Sequence, residues 1–383
     1  MREHRPDARY RRVVRWRPWL GLILYWSAVA RGEGGERVIA SRDYRVQLTP
    51  DLQVFVGQTV LEIRSHGTQA SLPLMYGTSS TGAPNAIDHA GLAPNGAVTL
   101  YFRNECLVDS PAAASLQQTT SLNALRARVL MRQADQHATL AAAKAQIERA
   151  NALDPMQPAA AVSRARRVIG SPRQATELLS PALASAPYET YFEVLRRAPL
   201  LKALPLFAQL RARAPARARF DGNAEYFAVH GSLVALTATA ENEADCASAS
   251  ELILLDSNTA QVVFRHLFSR QNEQCVVKLT DVALLDQMLS DLGFEPTGDS
   301  ARAEGSGGSY ALELAVAHRT LTIDATEGSA RLSQTAHPPA ETAYHGDAPR
   351  RAYLLPGNRV AIVETNRDSD VCEGLPSFEV LRW

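Results

Sequence analysis

Two segments of the chain, AKAQIERANALDP at 143–155 and ATELLSPALASAP at 175–187, carry one pattern at a spacing of 32 residues. Ala143, Ile147, Ala150 and Pro155 of the first correspond to Ala175, Leu179, Ala182 and Pro187 of the second. Residues four and three apart share one face of a helix. The alanines let a neighbouring helix approach closely, the larger residue fills the space between them, and the proline stops the helix and opens the next unit. Around them, residues 115–213 are rich in Ala, Leu and Arg with apolar residues three and four apart.

This pattern resembles the second helix of a tetratricopeptide repeat, whose period is about 34 residues. ANALDP at 150–155 is similar to the end of such a unit. The first helices depart from the family, since Leu130, Met131 and Ala134 stand near its aromatic and glycine positions, and the second unit is shortened around Gly170, Ser171 and Pro172. Two units and a closing helix bearing Tyr188, Tyr191, Phe192 and Leu195 make a small array over the central third of the chain. The resemblance implies stacked helix pairs around a concave groove that takes up an extended peptide or a partner's helix.

Both flanks carry the two-residue alternation of half-buried strands. Thr59, Leu61 and Ile63 alternate with Val60, Glu62 and Arg64, and Val98, Leu100 and Phe102 alternate with Thr99, Tyr101 and Arg103. Gly77, Gly82, Pro84, Gly91, Pro94 and Gly96 make the middle of the first flank a loop region. Beyond residue 218, Tyr226 to His230 and Leu233 to Thr239 form a hairpin across Gly231 and Ser232, as do Glu251 to Leu255 and Gln261 to Phe268, and Tyr353 to Leu355 with Val360 to Val363. One helix interrupts, with the stripe Val282, Leu284, Leu285, Met288, Leu289 and Leu292 ended by Gly293 and Pro296. The expected fold is a multi-domain α+β chain: a β segment at 31–109, a tetratricopeptide-like helical domain at 110–217, and a mainly antiparallel β domain at 218–383. The alternative is a partial propeller-like sheet with a helical insertion, suggested by the turn at Asp256, Ser257, Asn258 and Thr259.

Residues 1–30 read as a secretion signal: seven arginines among residues 2–17, an apolar run from Trp19 to Trp26, and Ala28-Val29-Ala30, with cleavage after Ala30. The apolar run is too short for a stable membrane span. The whole chain has 40 basic and 40 acidic groups; without the signal it keeps 33 and 38. The expected location is the periplasm or the medium, in a bacterium. An oxidising compartment favours disulfides among Cys106, Cys246, Cys275 and Cys372, which allow three connectivities. Cys246 and Cys275 flank the hairpin of Glu251 to Phe268, which leaves Cys106 to tie the first β segment to Cys372 in the last.

No Walker loop, G-x-G-x-x-G, G-x-S-x-G or H-E-x-x-H occurs, so neither a cofactor nor a metal is expected. The acidic clusters Glu241, Glu243 and Asp245, and Asp368, Asp370 and Glu373, read as solvated loop tips rather than calcium sites. His318 on the face of Leu312, Leu314 and Val316, His230 and His266 read as structural histidines. Charge is the stronger signal: residues 110–219 hold 16 basic groups against six acidic, so the rest of the exported chain is strongly acidic. Arg126, Arg128, Arg132, Arg164, Arg166 and Arg167 lie on the helices that would line a groove. Guanidinium forks suit an anionic protein or peptide partner of the cell envelope, such as an acidic peptide or a carboxylate terminus, or a glycan or lipid phosphate. Nucleic acid is disfavoured, because export separates it and no aromatics are interleaved with these arginines. The acidic β part docking on the basic helices is the partner-free explanation. The sequence therefore points to an exported interaction or scaffold protein, with a secreted hydrolase whose site lies between the β domain and the helices, or a structural envelope component, as alternatives.

Overall fold

The computed structural model describes residues 36–42, 45–56, 60–73, 86–103, 117–212, 219–222, 226–242, 247–259, 261–271, 276–296, 302–304, 310–316, 318–334, 337–344, 349–355, 360–365 and 377–383. The signal region, all four cysteines, Glu243, Asp245 and the second acidic cluster lie outside them.

The chain opens with β1 (Arg37–Ala40), β2 (Arg45–Thr49), β3 (Leu52–Val56), β4 (Val60–Ser65), β5 (Thr68–Pro73), β6 (Ala86–Leu92), β7 (Ala97–Arg103) and β8 (Gln117–Ser121). Five helices follow: α1 (Leu122–Ala134), α2 (Lys144–Leu153), α3 (Pro158–Arg167), α4 (Pro172–Ser185) and α5 (Pro187–Arg197). Next come β9 (Phe227–His230), β10 (Leu233–Asn242), β11 (Ala247–Asp256), β12 (Gln261–Gln271), β13 (Val277–Leu279), α6 (Val282–Leu292) and β14 (Glu295–Pro296). The chain ends through β15 (Arg302–Glu304), β16 (Ala311–Val316), β17 (Arg319–Asp324), β18 (Ser329–Gln334), β19 (His337–Ala343), β20 (Pro349–Leu354), β21 (Val360–Thr365) and β22 (Ser377–Arg382).

Every strand pair among these is antiparallel, and they form five sheets. The sheets β1-β6-β7-β8 and β2-β3-β4-β5 pack on one another through the alternating residues expected from sequence, Leu61 and Ile63 against Val98, Leu100 and Phe102. Leu125 and Val129 of α1 close this core. Each fully buried side chain of this size contributes about 1.5–3 kcal/mol. The six-stranded sheet β13-β12-β11-β10-β9-β14 is covered on both faces along β9 to β12, and its edge strand β13 is exposed. Leu252 and Leu254 of β11 meet α5 and α6, while Ile253 and Leu255 meet Tyr353, Ile362 and Phe378 of the sheet β15-β20-β21-β22. Two-sided burial explains why β11 reads as the continuous apolar run Leu252 to Leu255 rather than as an alternation. The far face of the sheet β15-β20-β21-β22 packs Leu354, Val363 and Leu381 on the sheet β16-β17-β18-β19.

The expected tetratricopeptide-like block does not form, and the fold is mostly antiparallel β with six α-helices of 10–14 residues among the described residues. α1 belongs to the N-terminal sandwich, whereas α3, α4 and α5 share one core with α6 and the six-stranded sheet. The two copies of the pattern consequently sit in different surroundings. Ala143, Ile147 and Ala150 pack with α1 and α3, and Ala175, Leu179 and Ala182 pack in the large core with α5 and the sheet. A solenoid needs each unit to bury the next in the same way. Here the shared spacing reflects only the close approach that small residues allow, and the shared prolines are tolerated where a helix begins or has just ended. The propeller-like alternative is overturned too, because the turn after Asp256 joins two interior strands of a six-stranded sheet rather than the outer strands of a blade.

Two local expectations also change. Part of the glycine-punctuated region is the strand β6, and its Gly91 pairs with Val38 and Thr99 where the Glu36 carboxyl occupies the space of a side chain. His318 is exposed in the turn before β17, off the apolar face of β16. By contrast α6 ends as its sequence predicts, with Gly293 in the left-handed region at φ 84°. His230 is exposed at the end of β9, its Nδ1 lying 3.1 Å from the carbonyl oxygen of Gly293.

Candidate functional site: an arginine-lined cleft

Helices α1 and α5, the hairpin strand β5 and strand β12 converge on an open cleft of about 640 Å³. α1 is started by Ser121, whose hydroxyl accepts from the Ala124 N–H at 3.0 Å. Its apolar side then packs on the sandwich and leaves Arg128, Arg132 and Asp135 along the cleft. α5 starts at Pro187, buries Tyr191 and Val194 in the large core, and turns Glu189, Glu193, Arg196 and Arg197 to the same cleft. The opposite wall carries Phe264, His266 and Arg270 of β12.

Most charges on these walls are neutralised in pairs. Arg128 forks onto Glu189 at 3.0 and 3.2 Å. Glu193 accepts from Arg196 at 2.7 and 2.9 Å and from Arg197 at 2.5 Å. Arg197 also holds Asp135 at 2.5 and 2.8 Å. Burial works against the Arg197 charge, but its bonds and proximity to Asp135 and Glu193 outweigh that and push its pKa up. His266 Nε2 lies 3.0 Å from Asp281 Oδ2, and this hydrogen bond, aided by the charges of His266 and Arg196, holds the Asp281 carboxyl below the usual carboxylate range. The imidazole of His266 lies 4.3 Å from the ring of Phe192 and stacks on Phe264 at 6.3 Å, so an aromatic patch floors the cationic walls.

Two exposed cations differ. Arg132 and Arg270 both line the cleft and have no ion-pair partner among the described residues.

The six arginines singled out from sequence separate into three places. Arg128 and Arg132 line the cleft. Arg126 turns to the other side of α1, 3.5 Å from Asp51. There a hydrogen bond from the Thr49 hydroxyl at 2.8 Å lowers the Asp51 pKa, and the Arg126 charge adds to the effect. Arg164 and Arg167 both bind Glu148 of α2, at 3.2 and 2.7 Å, and Arg166 is exposed beside them on α3. Arg196, Arg197 and Arg270 carry no expectation from the sequence alone, and His266, expected to be structural, lies on the cleft wall. A signal existed for the first two: Glu193 stands three and four residues ahead of Arg196 and Arg197 on one helix. Among the described residues no group of His, Cys, Asp and Glu is placed to hold a metal ion.

Compared with known protein families, with curated proteins and with solved structures, the chain finds no match in any of the three. No helix among the described residues is long and apolar enough to cross a membrane.

Proposed function

We propose that this chain is a binding protein that captures an anionic protein or peptide in the cleft between α1, α5 and β12. The observation that carries the reading is the contrast within one cleft: Arg128, Arg196 and Arg197 are matched by carboxylates, while Arg132 and Arg270 have none among the described residues. Paired arginines set a rigid wall; unpaired exposed ones keep their donors for a ligand. A labelled hexaglutamate peptide, followed by fluorescence anisotropy, tests it. Binding that weakens with salt and falls about tenfold or more in the double variant Arg132→Glu, Arg270→Glu supports the reading. Equal binding by the variant overturns it.

The amino-terminal pattern supports an exported protein, cut after Ala30. Amino-terminal sequencing of protein recovered from a bacterial periplasm tests this, with Arg31 as the expected first residue and Met1 as the contrary result.

A secreted hydrolase is the second reading, favoured by His266 and Asp281 on the cleft wall. The carboxylate engages Nε2 and leaves Nδ1 as the ring nitrogen for a substrate proton. Ester or peptide turnover by the purified protein, lost in His266→Ala, would favour it over simple capture.

A further inference from the structure

Resting on the binding reading, we infer that the ligand is an extended peptide, acidic on alternate residues, that adds as a strand to the free edge of β13. β13 is the edge strand of the six-stranded sheet, and among the described residues nothing pairs with its outer side. Its pairing with β12 aligns Ser269 with Leu279, Arg270 with Lys278 and Gln271 with Val277. The Thr280 N–H donates to the Phe268 carbonyl at 2.7 Å, one place further along the same ladder. Hydrogen-bonded and non-bonded positions alternate in an antiparallel pair, so Lys278 is also bonded to β12. The N–H and C=O groups of Val277 and Leu279 then point to the open edge, where an incoming strand pairs.

Side-chain chemistry names the occupant. Arg270 and Lys278 are directly opposite one another, and neither has an ion-pair partner among the described residues. Like charges in opposite positions of a sheet repel. A carboxylate on the adjacent strand relieves that repulsion. Because strand residues alternate between faces, Val277 and Leu279 lie on the other face from Lys278, and they are 55% and 51% exposed. The matching strand is therefore acidic on one face and apolar on the other. Thr280 and Asp281, which follow β13 directly, line the arginine cleft, so such a strand runs into it and brings its acidic residues towards Arg132.

The test uses labelled peptides on the full mature chain: Glu-Val-Glu-Val-Glu-Val, the composition-matched Glu-Glu-Glu-Val-Val-Val, and two versions of the first N-methylated on odd or on even residues. The alternating peptide should bind about tenfold tighter than the block peptide, and one of the two methylated versions should lose that advantage. Leu279→Pro removes an outward N–H without touching the ladder to β12, and it should weaken the alternating peptide alike. Its fold is checked by circular dichroism, and the methylated peptides on the native protein give the same answer if it does not fold. Equal binding of all four peptides, with hexaglutamate binding still lost in the Arg132 and Arg270 variant, overturns strand addition and leaves the cleft reading intact. If no acidic peptide binds the native protein, the cleft reading fails and strand addition fails with it.

Discussion

Arg197 of α5 grips Asp135, the residue that ends α1, through both terminal guanidinium nitrogens at 2.5 and 2.8 Å. This contact joins the helix of the N-terminal sandwich to the helix of the large core, and Glu193 holds the same guanidinium from the other side. Arg197→Ala removes the guanidinium that bridges Asp135 and Glu193, leaving Arg196 as their shared cation, in a site where the arginine side chain is only 14% exposed. Breaking a buried pair costs about 3–5 kcal/mol, and partial exposure places this one at about 3 kcal/mol. Urea denaturation measures the loss.

Glu251 and Arg265 form an ion pair with each side chain 1% exposed, on adjacent strands β11 and β12. Glu251→Gln removes the carboxylate charge from a buried guanidinium and should cost about 3 kcal/mol. The double replacement Glu251→Leu, Arg265→Met removes both charges and should recover most of that loss. A double-mutant cycle by chemical denaturation checks both values.

Burial, and then the bond it donates to Asp291 at 2.9 Å, raise the pKa of the Tyr191 phenol. A raised folded pKa contributes stability present below the ordinary phenol value and lost as pH rises from there towards the folded value. Stability of the native chain should therefore fall above about pH 10. Tyr191→Phe should flatten that alkaline limb, as thermal melts across the range will show.

Asp281 has the opposite sign. Its lowered pKa contributes stability present above the ordinary carboxylate value and lost as pH falls through the folded one. Asp281→Asn should be less stable than the native chain at neutral pH, and the two should converge in acid. Melting curves from neutral to strongly acidic pH test the convergence.

Gly293 holds φ 84°, and a Cβ there would lie 2.5 Å from the Cβ of Ala212. Gly293→Ala should cost about 2 kcal/mol or more, from left-handed backbone strain and overpacking together. A control change at Gly170, where an added Cβ meets nothing within 4 Å, should cost much less.

The strands were readable wherever one face is buried, as in β4 and β7, because alternation records burial directly. α6 was readable from its stripe and its terminal glycine. The arrangement of the other helices was not, since Ala143 and Ala175 present the same small surface whether the neighbour is another helix or a core shared with a sheet. β6 was hidden by Gly91, whose missing side chain makes room for Glu36 rather than a turn. Of the cleft, the basic character and the positions Arg128 and Arg132 were legible. Which arginines stay free was not. Arg126 meets Asp51, 75 residues away, and Arg128 meets Glu189, 61 residues away. Composition counts charges, while long-range pairing decides which of them reach a ligand.

Crosslinking of a photoreactive hexaglutamate peptide, with the attachment sites mapped by mass spectrometry, tests capture in the cleft most directly. Labels are expected around Arg132, on Arg270 and on the adjoining strand at 277–279, all reduced by excess unlabelled peptide. Labels concentrated at Arg164, Arg166 and Arg167, where Glu148 already neutralises two of the three, would contradict it.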